Sequence, residues 1–276
     1  MKKLISLILS FLMLLSLPSC APEESSSESS LLSGTLKDGG RWFYAEVSYS
    51  NLVEPLDGTY EKGCADSIYV NPTLANGESG GGFSMGTIVK IEYDGNIHLP
   101  SGMTNPIIST VYSVSLEPYP FISGNTTYLV SCIPTAFEHE HLADIDINRQ
   151  NEEKHVHAPY LLKAESVEEA MELYRKSLPS RIAENAFDYY NAQLGYYNDE
   201  FFKDNVLLLV FFSSASGGDR YEFSSIEVTD GVLNIKITQT QSGQTCDGSE
   251  WLFCISVPRD VSEDLSGYAA VNGWEK

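Results

Sequence analysis

The chain has 276 residues, with 17 lysines and arginines against 38 aspartates and glutamates, a formal net charge of −21. So acidic a surface repels nucleic acid and anionic lipid headgroups, and no basic run offsets it, so nucleic acid is excluded as a partner. Sixteen tyrosines and twelve phenylalanines lie mostly in short alternating runs, the pattern of β-rich structure with ample core material.

The chain opens with Lys2 and Lys3, then the apolar run Leu4 to Leu17, interrupted only by serines at 6, 10 and 16. As a helix this run is about 21 Å long, too short for a hydrocarbon core of about 30 Å. Residues 1–19 are therefore expected to be a signal peptide. Leu17-Pro18-Ser19-Cys20 resembles a lipobox, although Pro18 departs from the usual Ala, Ser or Thr. The resemblance implies a diacylglyceryl group on Cys20 and a chain anchored to the bacterial membrane on its extracytoplasmic side. Residues 20–33, rich in Ser and Glu, cannot bury enough apolar surface to fold and suit a flexible tether. No second stretch approaches spanning length, so the membrane is expected to be touched only through the lipid on Cys20.

Residues 34–117 show only strand-like periodicity. Arg41 to Ser48, Asn51 to Pro55, Asp66 to Asn71, Thr87 to Tyr93 and Ile107 to Leu116 are the expected strands, Val111 falls out of phase, and Asp94-Gly95 is a hairpin turn signal. Five short strands without a helix suggest a small closed or partly closed barrel. Gly34-Thr-Leu, Leu52-Val-Glu-Pro55 and Gly86-Thr-Ile-Val-Lys-Ile-Glu-Tyr-Asp-Gly95 resemble an uncharacterised domain of Firmicute lipoproteins. That family implies an OB-like barrel and brings no catalytic residues.

Residues 118–153 hold one possible strand, Tyr128 to Ile133, and then a polar acidic run, expected as a linker. The second domain is expected at 154–262. It begins with a strand from His155 to Ala164, followed by the capping box Ser166-Val-Glu-Glu169, with Glu169 reaching back to the Ser166 N–H. Pro179 ends that helix, and Ser180 can cap a second, to about Leu194. Four strands then read as an antiparallel meander: Val206 to Phe212, Tyr221 to Val228, Val232 to Thr240 and Trp251 to Val257, with Asp230-Gly231 as a turn. Asp199 to Phe212, Gly217-Gly-Asp-Arg-Tyr221, Ile226 to Ile235 and Ser256-Val-Pro258 resemble the C-terminal domain of PrcB-type proteins. The family is named for a subunit that accompanies a secreted protease complex. In the family a Gly-Gly-Tyr usually follows the first long strand; here Asp219 and Arg220 intervene. Residues 263–276 are expected as a tail. The whole is expected to be α+β, an OB-like barrel followed by an antiparallel sheet packed with helices.

Cys64, Cys132, Cys246 and Cys254 form an even set in an exported chain. Of three connectivities, Cys64–Cys132 and Cys246–Cys254 are favoured, with free buried thiols as the alternative. His139-Glu-His141 and His155-Val-His157 would each offer two imidazoles on one face if they lay on strands, a donor set for zinc or another divalent metal. Polar loop histidines are the plainer explanation. Asp144-Ile-Asp-Ile-Asn148 begins like a calcium loop, but Arg149 and His155 occupy the positions of its Gly and Glu, which excludes a standard EF-hand. Gly77-Glu-Ser79-Gly-Gly81 matches a hydrolase pattern without the strand and helix that chemistry needs, and reads as a loop. The paired aromatics from Trp42 to Phe202 are mostly core material.

No nucleophile, base and orienting group can be placed together. The expectation is a non-catalytic adaptor for an exported or cell-surface protein, without a cofactor. Contact is expected through Gly217, Gly218, Asp219 and Arg220 and through an open sheet edge. A metal-binding chain using the paired histidines is the alternative.

Overall fold

The structure, a computed structural model, describes residues 32–49, 51–56, 67–80, 83–152, 159–184, 186–214, 216, 218–243 and 248–274. The first sheet comprises β1 (Ser33–Thr35), β2 (Arg41–Tyr49), β3 (Leu52–Pro55), β4 (Ile68–Val70), β5 (Ile88–Tyr93), β6 (Ile107–Ile108) and β7 (Val111–Ser115). Its order is β6-β4-β3-β2-β5-β7, with β1 also on β2. Alternate residues Phe43, Ala45 and Val47 point into a core shared with Val53, Ile68, Val89, Ile91 and Ile108. Among the described residues the terminal strands β6 and β7 are not paired with each other, so no closed barrel is formed there. Val111 is out of phase because the expected strand 107–116 is two strands: β6 runs parallel to β4 and β7 antiparallel to β5. The Asp94-Gly95 turn is likewise not a two-residue hairpin. Asp94 Oδ1 accepts from Asn96 N–H at 3.0 Å, and the chain makes a long excursion before β7 returns to β5.

The remaining strands are β8 (Tyr119–Ser123), β9 (Thr126–Pro134), β10 (Tyr160–Ala164), β11 (Asn205–Ser214), β12 (Arg220–Thr229), β13 (Val232–Gln241), β14 (Ser249–Pro258) and β15 (Gly267–Trp274). The helical segments are α1 (His139–Ala143), α2 (Arg149–Glu152), α3 (Val167–Ser177), α4 (Ser180–Ala183), α5 (Ala186–Leu194), α6 (Phe201–Asp204) and α7 (Arg259–Glu263). The expected meander is split between two sheets. β10-β11-β14-β9-β8 form an antiparallel sheet, and β12-β13-β15 a smaller one, with β15 parallel to β13. The possible strand Tyr128 to Ile133 is β9, and two stretches expected as irregular are also sheet: β8 lies in the linker 118–153 and β15 in the tail 263–276.

The five-stranded sheet is the middle layer. Val206, Leu208, Val210 and Phe212 of β11 face the small sheet. Leu207, Leu209 and Phe211 face Tyr174, Tyr190, Leu194 and Phe201 on the helical layer. Burial on both faces explains why β11 is continuously apolar rather than alternating. Both flanks of the two-sheet unit are tied. Ser123 Oγ donates to the Ile226 carbonyl at 2.7 Å on one side. On the other, Asn148 accepts from Ala270 N–H at 3.0 Å and donates to the Ala270 carbonyl at 2.9 Å and to that of Pro159.

The first sheet docks through Tyr44 and Ile88, which join the core between the two other sheets. Gly86, at φ +86°, lets Trp251 pass so closely that a Cβ there would lie 2.1 Å from the indole. Among the described residues, no helix is long and apolar enough to cross a membrane.

Candidate functional site

Where β11 leaves the core its sequence changes from Val-Phe-Phe to serine, which brings hydroxyl groups to one end of the two-sheet unit. The Ser214 hydroxyl donates to Asp219 Oδ2. The other carboxylate oxygen, Oδ1, accepts from Gly243 N–H at 2.7 Å. Gly218 N–H donates to Ser216 Oγ at 3.2 Å, Ser249 Oγ to the Ser216 carbonyl at 3.2 Å, and Trp251 Nε1 to Ser249 Oγ at 2.8 Å. Asp219 is only 5% exposed, so its carboxyl is held inside this lattice. Gly243 crowds Gly218 so closely that a Cβ would lie 2.5 Å from the Gly218 backbone. Asp219 thus ties Ser214 to Gly243, and Pro134, Thr135, Ser213, Ser214, Gly248, Ser249 and Glu250 line a cleft of about 510 Å³ beside them.

From the same loop Arg220 turns towards the first sheet. Its Nη1 donates to the Asp219 carbonyl at 2.7 Å, and its Nε lies 3.8 Å from Glu46 Oε1. Glu46 stands directly opposite Glu54 across β2 and β3. Burial raises the Glu46 carboxyl from its ordinary 4.5 to about 7; Glu54 and Glu222 push the same way, and Arg220 opposes them. The sequence reading missed this junction. Its signal was present, since Glu46 is the one charged side chain between Trp42 and Val47.

Of the expected contact residues, Gly218, Asp219 and Arg220 lie together in this loop, and Gly217 is outside the described residues. The histidine expectation needs correction at its first pair. His139 and His141 lie on α1, not a strand, and two residues apart on a helix they do not share a face. The His139 ring packs edge-on against Phe137 at 4.9 Å, while His141 is exposed. His155 and His157 lie outside the described residues, and among the described residues no three His, Cys, Asp or Glu side chains are placed to hold a metal. The run that begins like a calcium loop is spent on backbone. Asp146 Oδ1 accepts from Asn148 N–H at 3.0 Å and Leu161 N–H at 2.7 Å.

The favoured disulfides are also corrected. Cys132 and Cys254 are free and buried, on opposite faces of the middle sheet. Burial pushes both thiols up, Cys254 to about 12, so neither is a reactive thiolate. Cys64, Cys246 and Cys20 lie outside the described residues. Ser79 of the hydrolase-like run bridges to Thr73 within the loop between β4 and β5. Among the aromatics, Phe43, Tyr190, Tyr197, Phe201 and Phe202 are core.

Comparison with protein-family models, with curated proteins and with solved structures finds no match.

Proposed function

We propose that this chain is a non-catalytic protein-binding module, anchored through a lipid on Cys20 outside a bacterial membrane, and that it meets an exported or cell-surface partner at the loop 216–220. The observation that carries the reading is the enclosure of the Asp219 carboxylate by Ser214 and the Gly243 N–H. It ties Ser214 and Gly243 to Asp219, so these groups are already joined where a partner would meet the chain. The lipobox-like segment at Cys20 supports the location. The likeness of residues 154–262 to PrcB-type domains supports a role as a companion protein, and the first sheet is read as an opened relative of OB-type barrels.

The test is a photo-crosslinking residue at position 218 in intact cells, with Phe187, 60% exposed on α5, as the control position. An exported protein coupled from 218 and not from 187 is expected. Equal coupling from both positions, or none from either, contradicts the reading.

A further inference from the structure

Between β5 and β6 the chain turns back on itself as a hairpin. His98 and Ile107 exchange both backbone hydrogen bonds, at 3.1 and 2.8 Å, and Met103 N–H closes the turn on the Pro100 carbonyl at 3.1 Å. Gly102 has the positive φ, +85°, that the third residue of such a turn needs. Leu99 and Met103 flank the turn, 58% and 41% exposed. Among the described residues a Cβ at Gly102 would meet nothing within 4 Å, so the tip stands clear of the first sheet. Beside its base the Pro106 carbonyl accepts from Tyr69 N–H at 2.9 Å, and Tyr69 is 39% exposed. Residues 57–66 lie outside the described residues and form no part of this site.

The chain's acidity lapses at this tip. Charged residues make up 20% of the sequence, yet Gly95 to Leu116 contains no Asp, Glu, Lys or Arg, and neither does Ser67 to Gly77, which includes β4. Carboxylates elsewhere hold the molecule off a lipid surface; an uncharged turn carrying a leucine and a methionine does not. The tether leads to the same sheet. The Leu32 carbonyl accepts from Tyr44 N–H at 2.9 Å, just before β1, and the twelve residues from Cys20 to Leu32 reach at most about 40 Å. A lipid on Cys20 therefore keeps the first sheet close to the bilayer. Two exposed apolar side chains are far too few for a protein interface, which takes about 800 Å² from each partner. They suffice for a bilayer already held close by an anchor, because the second contact is then intramolecular.

We infer that the turn 99–103 rests on the bilayer at headgroup depth, with Leu99 and Met103 among the lipids, so that the anchored chain is held in one orientation. The inference rests on the lipid at Cys20 proposed above and adds how the fold is set on the membrane. It revises the expectation that the membrane is touched only through that lipid, since a search for spanning length cannot register a contact the size of one turn.

The test uses the full chain, purified from membranes in detergent and inserted into preformed phosphatidylcholine vesicles that carry a headgroup nitroxide as quencher. A fluorescent amino acid replaces Ser101 in the turn or, as the control, Thr229. Thr229 is exposed and lies nine residues along β12 from Arg220, so it is about 30 Å from the contact of Arg220 with Glu46. Quenching at 101 is expected to exceed that at 229 at least about threefold. Leu99→Asp combined with Met103→Asp brings 101 down to the level of 229, while the chain stays on the vesicles through its lipid. Met103→Ser adds no charge and lowers the quenching part of the way, which keeps the test readable if the aspartate pair disturbs the hairpin; an unchanged melting temperature verifies the fold. Equal quenching at 101 and 229 in the wild type overturns the inference, as does undiminished quenching at 101 in a folded aspartate pair. A chain that joins the vesicles and leaves 101 unquenched, or whose position 101 instead crosslinks to a protein in cells, sinks the inference alone. A chain that carries no fatty acid and does not join the vesicles sinks the anchor, and the inference falls with it.

Discussion

Asn148 has both ends of its side-chain amide engaged, joining the N–H and carbonyl of Ala270 in β15 to the carbonyl of Pro159 just before β10. It supplies a missing rung where two sheets meet, and it is 2% exposed. Asn148→Ala leaves buried backbone groups without partners, at about 1–3 kcal/mol for each group left unpaired. Faster hydrogen exchange at the Ala270 N–H and a lowered melting temperature are the expected outcome; unchanged exchange there contradicts the assigned role. From sequence this residue was legible only as part of a run that begins like a calcium loop, because its partner lies 122 positions away and local pattern carries no such information. Gly86 is similar: its need for φ +86° and for space beside Trp251 becomes visible only once two distant segments are packed. Gly86→Ala is expected to cost more than about 2 kcal/mol by combining left-handed strain with a clash, measured by denaturant unfolding. A stability within about 0.5 kcal/mol of wild type would show that the indole can move aside.

Elements with strong local signals were readable and those defined by distant partners were not. The capping box places Ser166 as the N-cap of α3, with its Oγ accepting from Glu169 N–H at 3.2 Å. Glu169 reaches one residue further back than expected, accepting from Glu165 N–H at 2.8 Å. Asp230 and Gly231 both have positive φ, as a tight hairpin between β12 and β13 requires. By contrast β15 and β8 escaped notice. Tyr268-Ala-Ala-Val271 and Tyr119-Pro-Phe-Ile122 are short runs, and each lies on a strand paired at the edge of its sheet, β15 on β13 and β8 on β9. The pairing of β11 with β14 rather than with β12 was equally hidden, since periodicity gives a strand's faces but not its neighbours.

At the junction of β2, β3 and β12, Glu46 makes stability depend on pH. Its carboxyl faces Glu54 of β3, Arg220 and Glu222 of β12, Tyr119 of β8 and Cys132 of β9. Because the folded value, about 7, lies above the ordinary 4.5, the folded chain holds this proton more tightly than the unfolded chain does. The resulting stabilisation, up to about 3 kcal/mol, is complete below about pH 4.5 and is lost as pH rises through about 7. Glu46→Gln, neutral at every pH, is expected to flatten the fall in melting temperature between about pH 5 and pH 8. A variant that falls as steeply as wild type would assign that dependence to other groups.

For the whole molecule, the layers follow from where apolar surface is available. A middle sheet apolar on both faces takes helices on one side and a three-stranded sheet on the other, and the first sheet closes one end through Tyr44, Ile88 and Gly86. The candidate loop lies at the serine-rich end of this stack, where the sequence announced glycine and serine but not the carboxylate lattice behind them. The proposed anchor is tested apart from the fold: Cys20→Ala is expected to abolish fatty-acid labelling in cells, and label retained in that variant contradicts lipid attachment at Cys20. The central claim, that a loop arranged in advance by Asp219 contacts a partner outside the cell, is tested most directly by crosslinking from position 218 in cells carrying Asp219→Asn. The variant is expected to couple to the wild-type chain's exported partner at least about tenfold less, since an amide in place of the carboxyl cannot accept from both Ser214 and Gly243. Undiminished coupling to the same partner would contradict it.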